Sequence, residues 1–112
     1  MINQLRTYEI FERNAEAFHA RFRDDAVRIF AAYGFRILAM WELHEGNRLL
    51  FSYLLSWHDE EEMRERWSAF MADEEWAEIK RVTAIEHGAL VGAIEDRVLH
   101  PCPYSAAIEA RP

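Results

Sequence analysis

Four stretches of the chain have the apolar pattern of β-strands, three of them by alternation of apolar and polar side chains and one by a nearly continuous apolar run. These stretches span residues 3–11, 35–45, 49–57 and 90–99. The third stretch is almost continuously apolar, so we expect both of its faces to be covered. Gly46 and Asn47 stand between the second and third stretches and predict a tight hairpin there.

Between the strands, apolar residues recur at intervals of three and four, which predicts amphipathic helices. The apolar stripe of the first helix contains Phe18, Phe22, Ala26, Ile29, Phe30 and Tyr33. Asn14 is the candidate N-cap of this helix, and Gly34 stands where a left-handed C-terminal residue is expected. Asp59 with Glu62 predicts a capping box on a second helix, and Asp73 predicts the start of a third.

The order of these elements is β-α-β-β-α-(α)-β. It predicts an α+β fold of the ferredoxin-like, split βαβ type with a four-stranded antiparallel sheet. We expect one domain over residues 1–105 and a C-terminal tail over residues 106–112. Helices in this arrangement cover only one face of the sheet. Because the third strand needs cover on both faces, the pattern also predicts a homodimer that covers the second face.

The chain has 112 residues and a formal net charge of -7. An acidic chain without a basic run binds phosphate backbones and anionic lipid surfaces poorly, so we expect neither a nucleic-acid partner nor a membrane partner. No apolar run approaches the roughly 20 residues that span a bilayer. The single cysteine, Cys102, excludes an internal disulfide. With no signal pattern at the N-terminus, this composition predicts a cytoplasmic protein.

Several motifs occur in an order and at spacings that resemble the NIPSNAP family, over about residues 3–105. They are Leu5–Tyr8, Ala20–Arg23, Ile29-Phe30, Gly34-Phe35, Tyr53–Trp57, Trp67–Phe70, Asp73–Trp76 and Pro101–Ser105. The resemblance implies a dimeric α+β barrel, in which two ferredoxin-like protomers pack sheet against sheet. It also implies a cavity between sheet and helices, where related families bind small apolar or aromatic molecules. Some of those relatives are cofactor-free monooxygenases, isomerases or lactone-forming enzymes, and others bind haem.

Three polar residues on the predicted strands are the candidates for catalysis. Arg6 is either a clamp for a substrate carboxylate or enolate, or the partner of Glu9, Glu42, Glu95 or Asp96 within the sheet or across the dimer. Tyr8 and Tyr53 either offer a hydroxyl to a substrate oxygen or pack in the core with that hydroxyl bonded to the backbone. Many members of the resembled family carry histidine at the position of Tyr53, so a mechanism with a histidine base does not transfer to this chain.

The candidate ligand-binding residues are Phe22, Trp41, His44, Tyr53 and Trp67. Trp41 on a strand and Trp67 on a helix are expected to approach each other, either as flat walls of one site or as ordinary sheet–helix packing. His44 ends the second strand beside the hairpin, so we expect it at the mouth of the cavity or at the dimer edge. The five histidines lack the spacing of a metal site, and we predict neither a metal nor another cofactor.

These residues are compatible with three functions. The first is a cofactor-free enzyme of the oxygenase, isomerase or cyclase type, which stabilises an enolate or phenolate electrostatically. The second is a non-catalytic protein that binds a hydrophobic metabolite or haem in the same cavity. The third is a purely structural interaction dimer with solid packing. A cavity bordered by Tyr53, Trp41 and Trp67 would favour the first two functions.

Overall fold

A four-stranded antiparallel sheet with helices packed on one face makes up the fold. The computed structural model describes residues 1–108. Its strands are β1 (Ile2–Ile10), β2 (Arg36–Glu45), β3 (Arg48–Trp57) and β4 (Val91–Leu99). Its helices are α1 (Ala15–Arg21), α2 (Val27–Ala32), α3 (Glu60–Met71) and α4 (Glu74–His87), with a 3-10 turn at Glu12–Asn14 and a π-helical turn at Phe22–Ala26.

The sheet has the strand order β2-β3-β1-β4, and all neighbouring strands are antiparallel. β3 and β1 are therefore the two central strands, and each is joined to an edge strand through helices or a hairpin. This topology confirms the predicted α+β, ferredoxin-like fold. After β4, residues 100–108 contain no regular helix or strand. The predicted tail covers residues 106–112, of which 109–112 lie outside the described residues.

The core lies between the helices and one face of the sheet. On this face β3 contributes Phe51, Tyr53, Leu55 and Trp57, all of them buried. The helical layer contributes Phe18, Phe22, Ile29, Phe30, Phe70 and Trp76. Each of the four helices, α1 to α4, thus contributes side chains that pack against the same face of the sheet. In the part of the chain that the structure describes, no helix is long and apolar enough to cross a membrane.

The helical segment after β1 widens where it passes over the sheet. Phe18, Phe22, Ala26 and Phe30 follow one another at intervals of four residues, and all four are buried. Since an α-helix has about 3.6 residues per turn, side chains at this interval drift around the helix axis. The π-helical turn at Phe22–Ala26 has more residues per turn and offsets the drift. The four side chains therefore keep facing the sheet.

Asn14 differs from its expected role. Its side chain makes no capping hydrogen bond to α1. The Asn14 amide instead donates to the carbonyl oxygens of His87 and Ala89, at 3.1 and 2.9 Å. Both carbonyls lie at the C-terminal end of α4, where backbone acceptors have no partner within the helix. Asn14 therefore ties the first helical segment to the last helix.

The other predicted caps are present. Asp59 accepts a hydrogen bond from the Glu62 amide at 2.8 Å, at the start of α3. Asp73 accepts one from the Trp76 amide at 2.7 Å, at the start of α4. Gly34 has a φ of 82° after α2, in the left-handed region that glycine tolerates best.

Asp73→Asn is expected to flatten the dependence of stability on pH in acid. The Tyr33 hydroxyl donates to Asp73 at 2.6 Å, and together with the Trp76 amide it lowers the pKa of Asp73 below the ordinary value of 3.8. A depressed folded-state pKa stabilises the fold fully above about pH 4 and loses that effect as the pH falls through the folded value. Denaturant midpoints measured between about pH 5 and pH 2 should therefore fall less steeply in the variant. Equal slopes would contradict the assignment.

An irregularity in β2 turns its side chains over. Ile37 pairs with Leu55 of β3, but Leu38 is skipped and Ala39 pairs with Leu54. Directly paired residues point to the same face of a sheet, so an extra residue exchanges the faces of all residues that follow it. The residues after the bulge that face the helices are Met40, Glu42 and His44. Trp41 and Leu43 face away from them.

The face of the sheet away from the helices, called the open face here, carries apolar side chains, such as Leu5, Trp41 and Leu54, together with polar ones, such as Thr7, Ser52 and Arg97. Leu50 points to this face beside Glu9 and Leu43, and it is only 5% exposed although it lies outside the core cluster. The exposed apolar surface lies on the edge strands, where Trp41, Leu43 and Leu99 are 50%, 39% and 40% exposed. Trp41 and Leu43 are neighbours on β2, and Leu99 lies at the opposite edge on β4. Adjacent exposed apolar side chains such as Trp41 and Leu43 favour an interaction surface.

Candidate functional site

A cavity of about 190 Å³ lies between the sheet and the helices and opens to solvent. Its walls are aromatic and consist of Phe18, Phe22, Phe30, Trp67, Phe70 and Trp76. Its polar lining consists of Arg6, Tyr8, Arg21 and Lys80. The exposed side chains of Met71 and Ile94 border the mouth. The volume is slightly larger than that of an apolar cavity that binds benzene, about 150 Å³.

Arg6, Tyr8 and Tyr53 form one hydrogen-bonded cluster on the sheet side of the cavity. Arg6 and Tyr53 are paired across β1 and β3, so both side chains point to the helices. Arg6 Nε donates to Tyr53 Oη at 3.2 Å, and Arg6 Nη2 donates to Tyr8 Oη at 3.2 Å. The two hydroxyl oxygens are 2.5 Å apart. Arg6 Nη1 donates to Asp96 Oδ2 at 3.0 Å, so Asp96 of β4 is its carboxylate partner.

Gln4 holds two tryptophans beside this cluster. Its Oε1 accepts hydrogen bonds from the indole N–H groups of Trp57 and Trp67, at 2.9 and 2.7 Å. Its Nε2 donates to Asp96 Oδ1 at 2.8 Å. Trp67 is thereby fixed with its ring centroid 4.4 Å from Arg6 Cζ, within the range of a cation–π interaction. Gln4, only 2% exposed, therefore positions both the indole and the carboxylate that contact Arg6.

The Tyr53 hydroxyl keeps its proton. Burial raises the pKa of Tyr53 well above its ordinary value of 10.0, and Arg6 only partly opposes this. A buried donor without an acceptor costs about 1–3 kcal/mol. Of its two polar neighbours, Arg6 carries only donors, so Tyr8 Oη must accept the Tyr53 proton.

The direction of that bond determines what Tyr8 offers to a ligand. Tyr8 Oη accepts from both Arg6 and Tyr53, so within residues 1–108 its own proton has no protein acceptor. Tyr8 lines the cavity, and its O–H is free to donate into it. Burial lowers the pKa of Arg6, but the tyrosine oxygens raise it by more, so Arg6 is a permanent cation. A hydroxyl donor backed by a fixed cation stabilises negative charge on a ligand oxygen.

The structure brings four of the predicted site residues to the cavity surface: Arg6, Tyr8, Phe22 and Trp67. Tyr53 lies directly beneath, fully buried, and reaches the cavity only through Tyr8. His44 lies near the hairpin, away from the cavity, with its imidazole 4.0 Å from Glu12. Among residues 1–108, no three His, Cys, Asp or Glu side chains form a cluster that would hold a metal ion.

The structure does not bring Trp41 together with Trp67. Trp41 pairs with Ser52 and lies on the open face, whereas Trp67 packs on the helix side. Strict alternation from Phe35 places Trp41 on the same face as that buried residue. The bulge at Leu38 reverses this, so the neighbouring Met40 takes the helix-facing position.

Several residues that line the cavity were not predicted as site residues from the sequence. They are Phe18, Arg21, Phe30, Phe70, Trp76 and Lys80. The aromatic members appeared only as apolar stripe residues, because periodicity does not distinguish a cavity wall from solid core. One signal was available for Lys80, which is the single lysine of the chain. Gln4 was also overlooked, although an amide in the middle of a central strand requires buried partners.

Together these features define a ferredoxin-like α+β protein with an aromatic cavity between sheet and helices. A family model described as NIPSNAP matches residues 3–106, and the chain belongs to the NIPSNAP family. No curated protein matches this sequence.

Solved structures with the same fold include two proteins from Burkholderia xenovorans. An uncharacterized NIPSNAP domain protein has a TM-score of 0.80 and 18% identity, with 96% of this chain and 100% of that chain covered. An uncharacterized NIPSNAP-like domain protein has a TM-score of 0.78 and 18% identity, with 97% and 91% covered. A more distant match is a mutant of MhuD with two manganese protoporphyrin IX molecules bound per active site (TM-score 0.58, 10% identity, 96% and 100% covered).

Proposed function

We propose that this protein is a homodimer in which each protomer binds one small aromatic or apolar molecule in the cavity between sheet and helices. The Tyr8 hydroxyl and the Arg6 guanidinium hold an oxygen of that molecule. The observation that carries the proposal is the hydrogen-bonded cluster of Arg6, Tyr8 and Tyr53, which leaves one O–H donor facing an aromatic cavity.

The size and lining of the cavity support a compact, flat ligand. About 190 Å³ accommodates one or two rings. Phe22 and Trp76 on the helices and Trp67 beside Arg6 present ring surfaces, which interact favourably with another aromatic group. A few directed polar groups in an otherwise apolar lining are typical of small-molecule sites.

Binding is favoured over catalysis by the kind of polar groups that line the cavity. Arg6, Tyr8, Arg21 and Lys80 are hydrogen-bond donors, and three of them are cations at neutral pH. Among residues 1–108, no carboxylate or imidazole lines the cavity to accept a proton from a substrate. The site is therefore suited to holding an anionic oxygen, whereas an isomerase or cyclase mechanism also needs a general base.

Within the described part of the chain, the cavity lining offers haem no histidine ligand. The five histidines all fall within the described residues, and none lines the cavity, so it offers no axial imidazole. The protoporphyrin complex of a distant structural relative therefore gives no support for haem in this chain, because that likeness rests on the fold.

The dimer is proposed from the open face. Trp41, Leu43 and Leu99 expose apolar surface there, and a second copy packed sheet against sheet would cover it. Such a pairing is the isologous type that is commonest in homodimers. Cytoplasmic location is part of the proposal, since Cys102 is exposed and unpaired, which is typical of a reducing compartment.

Tyr8→Phe is expected to lower the affinity for cinnamamide, a neutral planar ligand with one carbonyl oxygen, by about tenfold. Among residues 1–108, Tyr8 carries the only hydroxyl that lines the cavity, and the variant removes it while keeping the ring that packs beside Phe18. Isothermal titration calorimetry measures the change. Tyr53→Phe is expected to weaken binding less, since its hydroxyl acts only by orienting the Tyr8 proton.

Tyr104→Phe serves as the matched control, because Tyr104 is 91% exposed and does not line the cavity. Its affinity should equal that of the wild type. An equal loss in Tyr104→Phe and Tyr8→Phe would contradict the assignment of the donor. The absence of measurable binding for a panel of one- and two-ring aromatic amides, ketones and acids would contradict the proposed function itself.

A further inference from the structure

The cavity is positively charged in a protein that is otherwise acidic. The chain carries 20 acidic and 13 basic residues, not counting histidine. Three of the basic residues, Arg6, Arg21 and Lys80, line the cavity, and within residues 1–108 no acidic residue does. Lys80 is the single lysine of the chain. Low-dielectric walls strengthen the field of such cations at the position of a ligand.

The surplus charge comes from the helices. Asp96 pairs with Arg6 at 3.0 Å and largely balances its charge. Arg21 and Lys80 have no ion-pair partner within residues 1–108. Arg21 belongs to α1 and Lys80 to α4, so the two cations approach the cavity from adjacent helices.

Both of these cations lie beside the same ring. Arg21 Cζ is 5.4 Å and Lys80 Nζ is 6.0 Å from the centroid of Trp76, which is itself a cavity wall. Arg21 Nη1 donates to Thr83 Oγ1 at 2.9 Å, which fixes the guanidinium and leaves its other N–H groups available. Burial partly desolvates the Arg21 guanidinium and thereby lowers its pKa. Within residues 1–108, no carboxylate pairs with it to compensate.

We infer that the ligand is an aromatic carboxylate, whose carboxylate is bound by Arg21 and Lys80 at the Trp76 end of the cavity. This inference rests on the proposed function and specifies the class of ligand. The ring lies against Phe18, Phe22 and Trp76. A carboxylate supplies the negative charge that the protein itself does not place near Arg21, and a planar guanidinium binds it with two parallel hydrogen bonds.

The test compares two ligands of the same shape and different charge. Cinnamate and cinnamamide are titrated into the full chain by calorimetry at about pH 7, where the acid is ionised and the amide is neutral. Cinnamate is expected to bind about tenfold more tightly, and raising the salt concentration should reduce that preference. Arg21→Met and Lys80→Met should each remove most of the preference for cinnamate over cinnamamide. Arg21→Lys should retain much of it.

Arg64→Met is the control for net charge. Arg64 is exposed on α3, where it pairs with Glu60 at 3.4 Å, and it does not line the cavity. This variant should bind both ligands as the wild type does. If Arg64→Met lost the preference as fully as Arg21→Met, or if the wild type bound both ligands equally, the inference would be overturned while the proposed function stood. If neither ligand bound, the proposed function would fail first. Thermal melting of each variant distinguishes lost binding from lost folding, and Lys80→Met tests the inference if Arg21→Met does not fold.

Discussion

Trp41→Asp is expected to convert the proposed homodimer into a monomer. Trp41 is half exposed on the open face, and burying an aspartate there in the proposed interface would desolvate its charge. Loss of an interface tryptophan that acts as a hot spot typically costs 2 kcal/mol or more, and a two-fold interface contains the substitution twice. The dissociation constant should therefore rise by roughly a thousandfold, corresponding to about 4 kcal/mol. Size-exclusion chromatography with light scattering at micromolar concentration measures the molecular mass directly.

Met40→Asp is the matched control for this experiment. Met40 precedes Trp41 in the same strand and is 47% exposed, close to the 50% of Trp41, but it lies on the helix side of the sheet. It should leave the dimer intact. A wild-type protein that was monomeric, or a Met40→Asp variant that dissociated as fully as Trp41→Asp, would contradict the assignment of the open face as the interface.

Gln4→Leu is expected to destabilise the fold by about 3 kcal/mol. The leucine fills a similar volume but removes the acceptor of the buried Trp57 indole N–H, which has no solvent to bond instead. It also releases Trp67 and leaves Asp96 without its amide donor. The midpoint of denaturant unfolding measures the loss. Because Trp67 no longer holds its place beside Arg6, cinnamamide affinity should fall as well.

Asn3→Leu provides the comparison for Gln4→Leu, since it makes the same kind of change at the adjacent position of β1. The Asn3 side chain points to the opposite face and makes one hydrogen bond, to the Leu55 carbonyl at 3.3 Å. Its loss should cost less than about 1 kcal/mol. Equal destabilisation by the two substitutions would mean that the hydrogen bonds of Gln4 to the tryptophans contribute little.

The fold was predictable because its signals are local. Alternation defined three strands and a nearly continuous apolar run defined β3. Asp59, Asp73 and Gly34 defined helix ends through hydrogen bonds or dihedral angles that depend on a few neighbouring residues. Asn14 could not be interpreted in this way. The two carbonyl oxygens that accept its hydrogen bonds belong to residues 73 and 75 positions later in the chain, so nothing in the sequence near Asn14 indicates them.

The candidate site was predictable only in part. Arg6, Tyr8 and Tyr53 were identified because polar groups on a covered sheet need partners. The sequence left open which partner Arg6 takes, and the strand register resolved this in favour of Asp96. The roles of Tyr8 and Tyr53 depend on which hydroxyl borders the cavity, which is a matter of tertiary packing. The prediction that Trp41 approaches Trp67 was wrong, because the pattern of apolar and polar residues does not show that Leu38 is left unpaired in β2.

That unpaired residue has an evolutionary consequence. Deleting Leu38 would remove the bulge, and the residues of β2 from Ala39 onward would exchange the helix side of the sheet for the open face, or the reverse. Trp41, which lies in the proposed dimer interface, would then face the helices, and Met40, Glu42 and His44 would face the open side of the sheet. A single codon lost or gained at this point would therefore change the side chains that β2 presents to the proposed dimer interface, with no residue of β2 substituted.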